Sequence, residues 1–309
     1  MKTSITHLIL SPGGMKGVYY LGVLRYLYIE KMDIDIKFVA GTSIGAFFAV
    51  ALALKIPIDY LENRLMNVLS NIDLFNIDFS FNSLNQFVNN KGFFNLDIFM
   101  NIILDFLTQK GLNHDINFLD FVKKTGVSIS ISCTDIVEKK CKIFSIDDFP
   151  DVQIMKALRA SMSIPFMFEP VNIDEHTYVD GVLSTQLHIN NIFCDVPDYN
   201  KLYINITESK YDNPMPLPKG TYLSMYTYTI RTIGIAYKHA IKANCLNNTK
   251  TMLKTVDLPY KALEYIFEDK KIKFMLDEND YNSLVLHGFI DMTKYIHARF
   301  NSKSNSEMV

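Results

Sequence analysis

The 309-residue chain has no tryptophan, only four cysteines and no surplus of either charge, and most of these shortages exclude a class of function. With 31 basic against 33 acidic residues the formal charge is −2, so the broad attraction of a basic domain for nucleic acid is missing. No local basic patch replaces it, and no nucleic-acid partner is expected. Cys133, Cys141, Cys194 and Cys245 stand far apart without a CxxC pair, which signals neither a zinc site nor a disulfide scaffold. They read as buried free thiols in a reducing compartment. EF-hand and HExxH patterns are missing too, so no metal and no cofactor is expected. Long apolar runs are also lacking. The stretch before Pro12 is too short for the central region of a signal peptide. Ile44 to Leu54 is stopped by Lys55 and Pro57, short of the ~20 residues that a membrane-spanning helix needs. The expectation is a soluble, cytoplasmic protein, with peripheral contact at a membrane surface left open. The missing tryptophan and the heavy use of Asn, Ile and Lys fit an AT-rich genome and say nothing of chemistry.

What is present is ample apolar material: 49% of the side chains are apolar and 21% charged, enough to bury one large core or two modest ones. The first third alternates strand and helix. Thr3 to Leu10 reads as a buried strand, a Gly-rich turn follows, and Val18 to Lys31 places Leu21, Leu24, Leu27 and Tyr28 on one helical face. Ile36 to Ala40 repeats the strand, Gly41 to Gly45 the turn and Ala46 to Leu54 the helix. Such repetition predicts a parallel sheet covered by helices. From Pro57 to Lys124 the pattern is mostly helical, an insertion between strands with Asn-rich turns near Asn82 and Asn89 to Gly92. Strands return at Val127 to Cys133, Cys141 to Ile146, Glu169 to Ile173, His176 to Val179 and Leu202 to Ile206, where the sheet is expected to be complete. A helix over Val152 to Ser161 lies between them. Beyond the Pro-rich stretch Pro214 to Pro218, helices are expected over Tyr222 to Ala243 and Tyr281 to Phe300, then a polar tail, 302–309. The division is a core over 1–210, with its helical insertion at about 57–124, and a helical region over 211–309 packed on the same domain.

Three short patterns carry chemistry. Gly41-Thr42-Ser43-Ile44-Gly45 matches the G-x-S-x-G nucleophile elbow, between an apolar strand and an apolar helix as that turn requires. The glycines leave room for strand and helix backbones to approach, and the Ser43 hydroxyl sits at the positive end of the helix dipole. Pro12-Gly13-Gly14-Met15-Lys16-Gly17 follows a strand and precedes a helix, where successive N–H groups converge on an anion or oxyanion. It fails as a dinucleotide fingerprint and lacks the G-K-[ST] ending of a P-loop. Tyr178-Val179-Asp180-Gly181 puts an acid at a strand end; alone, Asp-Gly is a turn.

Taken in order, Gly14 to Gly17, Gly41 to Gly45, the stretch Arg159 to Pro170 with its Ala160-Ser161, Pro165 and Phe168-Glu169-Pro170, and Asp180-Gly181 resemble the patatin-like phospholipases. The resemblance covers the first three fifths of the chain. It implies a three-layer α/β/α fold with a mostly parallel central sheet, and hydrolysis of lipid acyl esters by a Ser-Asp dyad, here Ser43 and Asp180, without histidine. The N–H groups of Gly13, Gly14 and Met15 would form the oxyanion hole, with Gly17, Gly41, Gly45 and Gly181 supporting the turns. Two departures stand out. Pro12, which has no N–H, fills the first place of a loop that usually opens with three glycines. Val182 follows Asp180-Gly181 where the family has Gly or Ala, predicting a narrower pocket wall. Lys16 keeps the family's cation, a surface charge suited to anionic headgroups or an ordinary solvated lysine.

The implied mechanism is acyl transfer to Ser43 with Asp180 as base, most of the rate coming from the oxyanion hole because a carboxylate near ~4 is a weak base for a hydroxyl. Two rivals stand beside it. A Ser-His-Asp triad needs a histidine after the acid: His188 follows Asp180 too closely, and His239, His287 and His297 lie in helical patterns. A binding or scaffold protein would keep the fold but lose the hole. The expected partner is a lipid substrate, and phospholipid, lysophospholipid, triacylglycerol and galactolipid all fit the motifs. Tyr222, Met225, Tyr226, Ile230, Ile233 and Tyr237 recur at helical spacing, either a core face or one that meets a membrane beside Arg231, Lys238 and Lys242. Phe75, Phe79, Phe81, Phe87, Phe93 and Phe94 read as core or as a lid.

Overall fold

The computed structural model describes residues 5–70, 81–184, 196–197, 200–206, 228, 232, 235, 252–254, 265–268, 271–274 and 278–304. Along the chain run β1 (His7–Leu10), α1 (Tyr19–Ile29), β2 (Phe38–Thr42), α2 (Ile44–Ala53), α3 (Ile58–Ser70), α4 (Phe81–Asn90), β3 (Gly92–Phe94), α5 (Asp97–Gln109), α6 (Phe118–Thr125), β4 (Ser128–Asp135), β5 (Lys140–Ser145), α7 (Ile154–Met162), β6 (Phe166–Phe168), β7 (Val171–Ile173), β8 (His176–Asp180), β9 (Lys201–Asn205), β10 (Met252–Lys254), β11 (Tyr265–Glu268), β12 (Lys271–Phe274) and α8 (Glu278–Ser304). The main sheet has eight strands in the order β10-β9-β1-β2-β4-β8-β7, with β5 pairing β4 off that path. The neighbours from β10 to β4 are parallel, and β5, β7 and β8 add antiparallel pairs. This is the α/β class with a mostly parallel sheet that strand and helix alternation predicts.

The central strands and α2 are apolar because both sides are covered. All ten residues of α2 are buried, which is why its sequence is apolar all round rather than on one stripe. In β4 the alternation of Ile with Ser hides a second buried face, since Ser130 and Ser132 are buried like Ile129 and Ile131. α1 and α8 cross at very short range. An added Cβ at Gly22 would lie 1.9 Å from Val285 O, and one at Gly288 would lie 2.1 Å from Tyr19 O.

The structure departs from the sequence reading mainly after residue 206. The sheet does not end at β9, because β10 adds in parallel beside it, and β11 pairs with β12 as an antiparallel hairpin where only helix was read. Strands of three or four residues hold too few repeats of a two-residue period to stand out from their surroundings. The insertion is mostly helical as expected, with α3 to α6, but β3 starts at Gly92, the last residue of the Asn-rich turn, and pairs with β6. There Phe94 joins the core, while Phe87 and Phe93 are half-buried with rings stacked 4.4 Å apart. α8 runs to Ser304, so the first three residues of the tail extend its last turn. Phe75, Phe79, His188, Pro214 to Pro218 and most of the helix expected over Tyr222 to Ala243 lie outside the described residues; within that stretch Tyr228 and Ile235 are helical and exposed. Among the described residues no helix is long and apolar enough to cross a membrane.

Candidate active site

The register of β1 against β2 places Leu10 opposite Gly41, so the loops after the two strands leave the sheet edge level with each other. That edge, at the carboxyl ends of parallel strands, is where open α/β sheets bind their ligands. The loops interlock through their glycines. A Cβ at Gly45 would come 2.4 Å from Leu10 O and 2.5 Å from Ser11 O, and one at Gly41 2.5 Å from the Ala46 backbone. At Gly17 a Cβ would strike the Ile44 side chain at 2.3 Å. The turn they permit is sharp: Ser43 sits at φ 56°, ψ −128°, a conformation L-residues rarely adopt and one that costs ~1–3 kcal/mol.

Ser43 is held in that conformation from behind. Its N–H donates to Ser161 Oγ (2.9 Å), and Ser161 Oγ–H donates to Ser132 O (2.7 Å), all buried. Thr42 and Ser132 join their hydroxyls at 2.5 Å one step below. The other loop is tied down by Ser11, whose Oγ accepts from Ile206 N–H (2.8 Å) and whose carbonyl accepts from Tyr20 OH (2.7 Å).

Asp180 is delivered by register across β4. One edge of β4 pairs first with β2, ending at Thr42 opposite Ser132, and then with β8, beginning at Asp180 opposite Cys133. β8 therefore continues where β2 stops, and the residue after Thr42 meets the last residue of β8. Ser43 Oγ donates to Asp180 Oδ2 at 2.6 Å. Asp180 Oδ1 accepts from Val182 N–H (2.9 Å), and the Asp180 N–H donates to Ser163 O (2.8 Å). The end of α7 thus grips both partners, Ser43 through Ser161 and Asp180 through Ser163. Gly181 is required here, since a Cβ would lie 2.3 Å from Ser132 O. Val182 is buried beside it and supplies a backbone donor.

Asp180 has no exposed surface, and burial pushes its carboxyl up to about 7 against the downward pull of the Ser43 hydroxyl and the Val182 N–H. An Asp base raised so far gives an acid limb in the same range as a histidine base, so pH alone does not tell the two apart.

Gly13, Gly14 and Met15 form the head of a 3-10 turn over Gly14–Val18, with Gly14 at φ 53°. Among the described residues nothing accepts their three N–H groups. Pro12 contributes only a carbonyl, which accepts from Ser11 Oγ. The Met15 side chain packs on the core. Of the seven histidines, none among the described ones hydrogen-bonds Ser43 or Asp180: His7 stacks on Phe38, His114 meets Thr108, and His176 faces Asp135. His287 and His297 lie on α8, while His188 and His239 fall outside the described residues. Sequence reasoning missed Ser11 and Ser132 as supports. Ser161 and Ser163 fell inside the stretch Arg159 to Pro170 singled out by resemblance, but without a role.

Residues 8–190 match the family described as Patatin-like phospholipase, a span that includes both loops, the end of α7 and Asp180. The chain belongs to that family. A relative from Invertebrate iridescent virus 6, named "Probable lipid hydrolase", is 27% identical over 175 residues, 56% of this chain and 58% of its own length. An uncharacterized protein of Acanthamoeba polyphaga mimivirus is 27% identical over 183 residues, 58% of this chain and 59% of its own. The chain thus spans less than two thirds of these relatives. The solved structure of VipD from Legionella pneumophila is similar over 96% of this chain and 67% of its own, with a TM-score of 0.56 at 14% identity, a likeness of fold.

Proposed function

We propose that the protein is a lipid acyl hydrolase that cleaves carboxylic esters through an acyl-enzyme on Ser43, with Asp180 as its only general base. The observation that carries this reading is the 2.6 Å hydrogen bond from Ser43 Oγ to Asp180 Oδ2, at a strained elbow backed by a helix N-terminus. Ser43 Oγ attacks the ester carbonyl while its proton passes to Asp180. The oxyanion forms against the N–H groups of Gly13, Gly14 and Met15, which have no acceptor among the described residues. On collapse the carbonyl–alkoxy bond breaks and Asp180 returns the proton to the departing alcohol. Water, deprotonated by Asp180, then attacks the acyl carbon, and the fatty acid leaves as Ser43 recovers its hydrogen. Such preorganised donors are typically worth ~10²–10³ each in rate. Burial of Asp180 contributes as well, because a carboxylate raised to about 7 takes a hydroxyl proton more readily than one in its ordinary range.

The substrate proposed is a lipid ester presented at a membrane or micelle surface. The machinery lies within 1–210; α8 packed on α1 and β10 beside β9 support reading 211–309 as part of the same domain. The test measures fatty-acid release from mixed phospholipid vesicles and labelling by a fluorophosphonate probe. Wild type should release fatty acid and carry the label on the Ser43 peptide, and Ser43→Ala should do neither. Equal release by the two would leave a lipid-binding protein in place of the enzyme.

A further inference from the structure

At the opposite end of β8 from Asp180, three side chains that take no part in the dyad come together. Asp135 closes β4, Glu138 lies in the turn to β5, and His176 opens β8. Each offers a ligand atom, and the three atoms lie within 4.8 Å of one another. Two features separate this group from an ordinary surface ion pair. The Asp135 side chain has no exposed surface, and its Oδ1 is committed to the N–H groups of Val137 (2.9 Å) and Glu138 (3.0 Å), an arrangement that aims Oδ2 at the other two residues. Oδ2 lies 2.8 Å from His176 Nδ1 without meeting hydrogen-bond geometry, and among the described residues neither buried atom has a hydrogen-bond partner. A buried carboxylate oxygen and a ring nitrogen that face each other off-line leave a point to which both lone pairs can be directed.

We propose that Asp135 Oδ2, His176 Nδ1 and a carboxylate oxygen of Glu138 bind one divalent first-row transition-metal ion of the Zn²⁺ type. The donor set decides the class: an imidazole nitrogen suits Zn²⁺ and its neighbours, whereas Mg²⁺ and Ca²⁺ select all-oxygen sites. Two carboxylates balance the double charge. Tetrahedral metal–ligand bonds of ~2.0–2.2 Å set donor atoms ~3.3 Å apart, so the 2.8 Å Asp135–His176 pair opens slightly around the ion while Glu138, on the exposed side, adjusts to complete the set. Its Oε2 pairs with Lys140 Nζ at 2.7 Å, which leaves the other oxygen for the ion and sets Lys140 as a local competitor. Bound there, the ion would brace the β4–β5 turn against the first residue of the strand that carries Asp180. No sequence pattern announces the site, since 38 positions separate Glu138 from His176.

The experiment titrates Zn²⁺ into the metal-free full chain by calorimetry and records the visible spectrum of the Co²⁺-loaded form. One equivalent should bind, with a Co²⁺ spectrum lacking thiolate charge-transfer bands. His176→Gln, Asp135→Asn and Glu138→Gln should each weaken binding ~tenfold or more. Asp135→Asn keeps an acceptor for the Val137 and Glu138 N–H groups, and Glu138→Gln alters an exposed side chain, so loss of binding in a variant with unchanged circular dichroism is not unfolding. Absence of Zn²⁺ binding to wild type, wild-type affinity retained in the three variants, or a thiolate band from a cysteine site would each overturn the proposal.

Discussion

Asp180 and Asp135 end two strands that pair with each other, neither has exposed surface, and they are held at opposite sides of the ordinary carboxylate value. Burial opposes the charge on both. Asp180 has one backbone N–H and one hydroxyl to offset it, and is pushed up to about 7. At Asp135 burial is outweighed by the N–H groups of Glu138 and Val137 together with the His176 ring, and the carboxyl is held low. Two differences therefore act together. Asp180, the proposed base, lies deep with few donors, whereas Asp135 lies at the solvent-facing end of its strand beside the half-buried His176 and is reached by more of them.

The largest effect that breaks the comparison is on turnover. Asp180→Asn should lower kcat on the order of 10⁴-fold, as should Ser43→Ala, measured by fatty-acid release. Stability should move the other way for Asp180. A folded-state value raised above the unfolded one means stability that is present at low pH and lost as pH rises through about 7. Asp180→Asn removes that loss, so at pH 8 its unfolding midpoint should exceed that of wild type. For Asp135, held low, stability is present above the ordinary carboxylate value and is lost as pH falls. Asp135→Asn, compared in a chelator, should unfold at a lower midpoint at pH 7, the gap closing in acid.

Next in size is the support behind the elbow. Ser161→Ala leaves the Ser43 N–H and Ser132 carbonyl buried without their bridge, at ~1–3 kcal/mol of stability. Because the strained Ser43 backbone is then less constrained, kcat should fall ~10–100-fold while fluorophosphonate labelling slows without disappearing. Asp135→Asn tests the same point from the other end of β8. The acid limb of kcat/KM, with activity falling below about 7, should stay in place in that variant and in each histidine variant. A limb that moves with a histidine would return the base role to imidazole.

How much of this was legible follows the range of the forces involved. Gly41, Ser43 and Gly45 announce themselves because a close strand–helix approach imposes residue types within five positions. Asp180 does not, since an Asp-Gly pair is a turn until β4 aligns two strand ends across 137 residues, and only the ordered resemblance pointed to it. Its raised carboxyl depends on burial that no local pattern encodes. Ser132 and Ser161 look like any serine, and β10 to β12 are too short for periodicity to reveal. The α/β class was legible because strand, turn and helix repeat over whole elements.

The smallest effect expected concerns Pro12, the departure that most threatened the oxyanion hole on sequence grounds. If the missing donor at Pro12 were limiting, Pro12→Gly should raise kcat by the ~10²–10³ that one oxyanion donor is worth. The geometry argues otherwise. Three consecutive N–H groups, at Gly13, Gly14 and Met15, already lack partners among the described residues, and Ser11 pins the loop root through Ile206 and Tyr20. Proline at this place also restrains the loop before folding, an advantage that glycine forfeits. Pro12→Gly should therefore change kcat less than tenfold and lower the unfolding midpoint slightly. A hundredfold gain in kcat would mean that the hole as built is short of a donor and that the chain works below the capacity of its own Ser43 and Asp180.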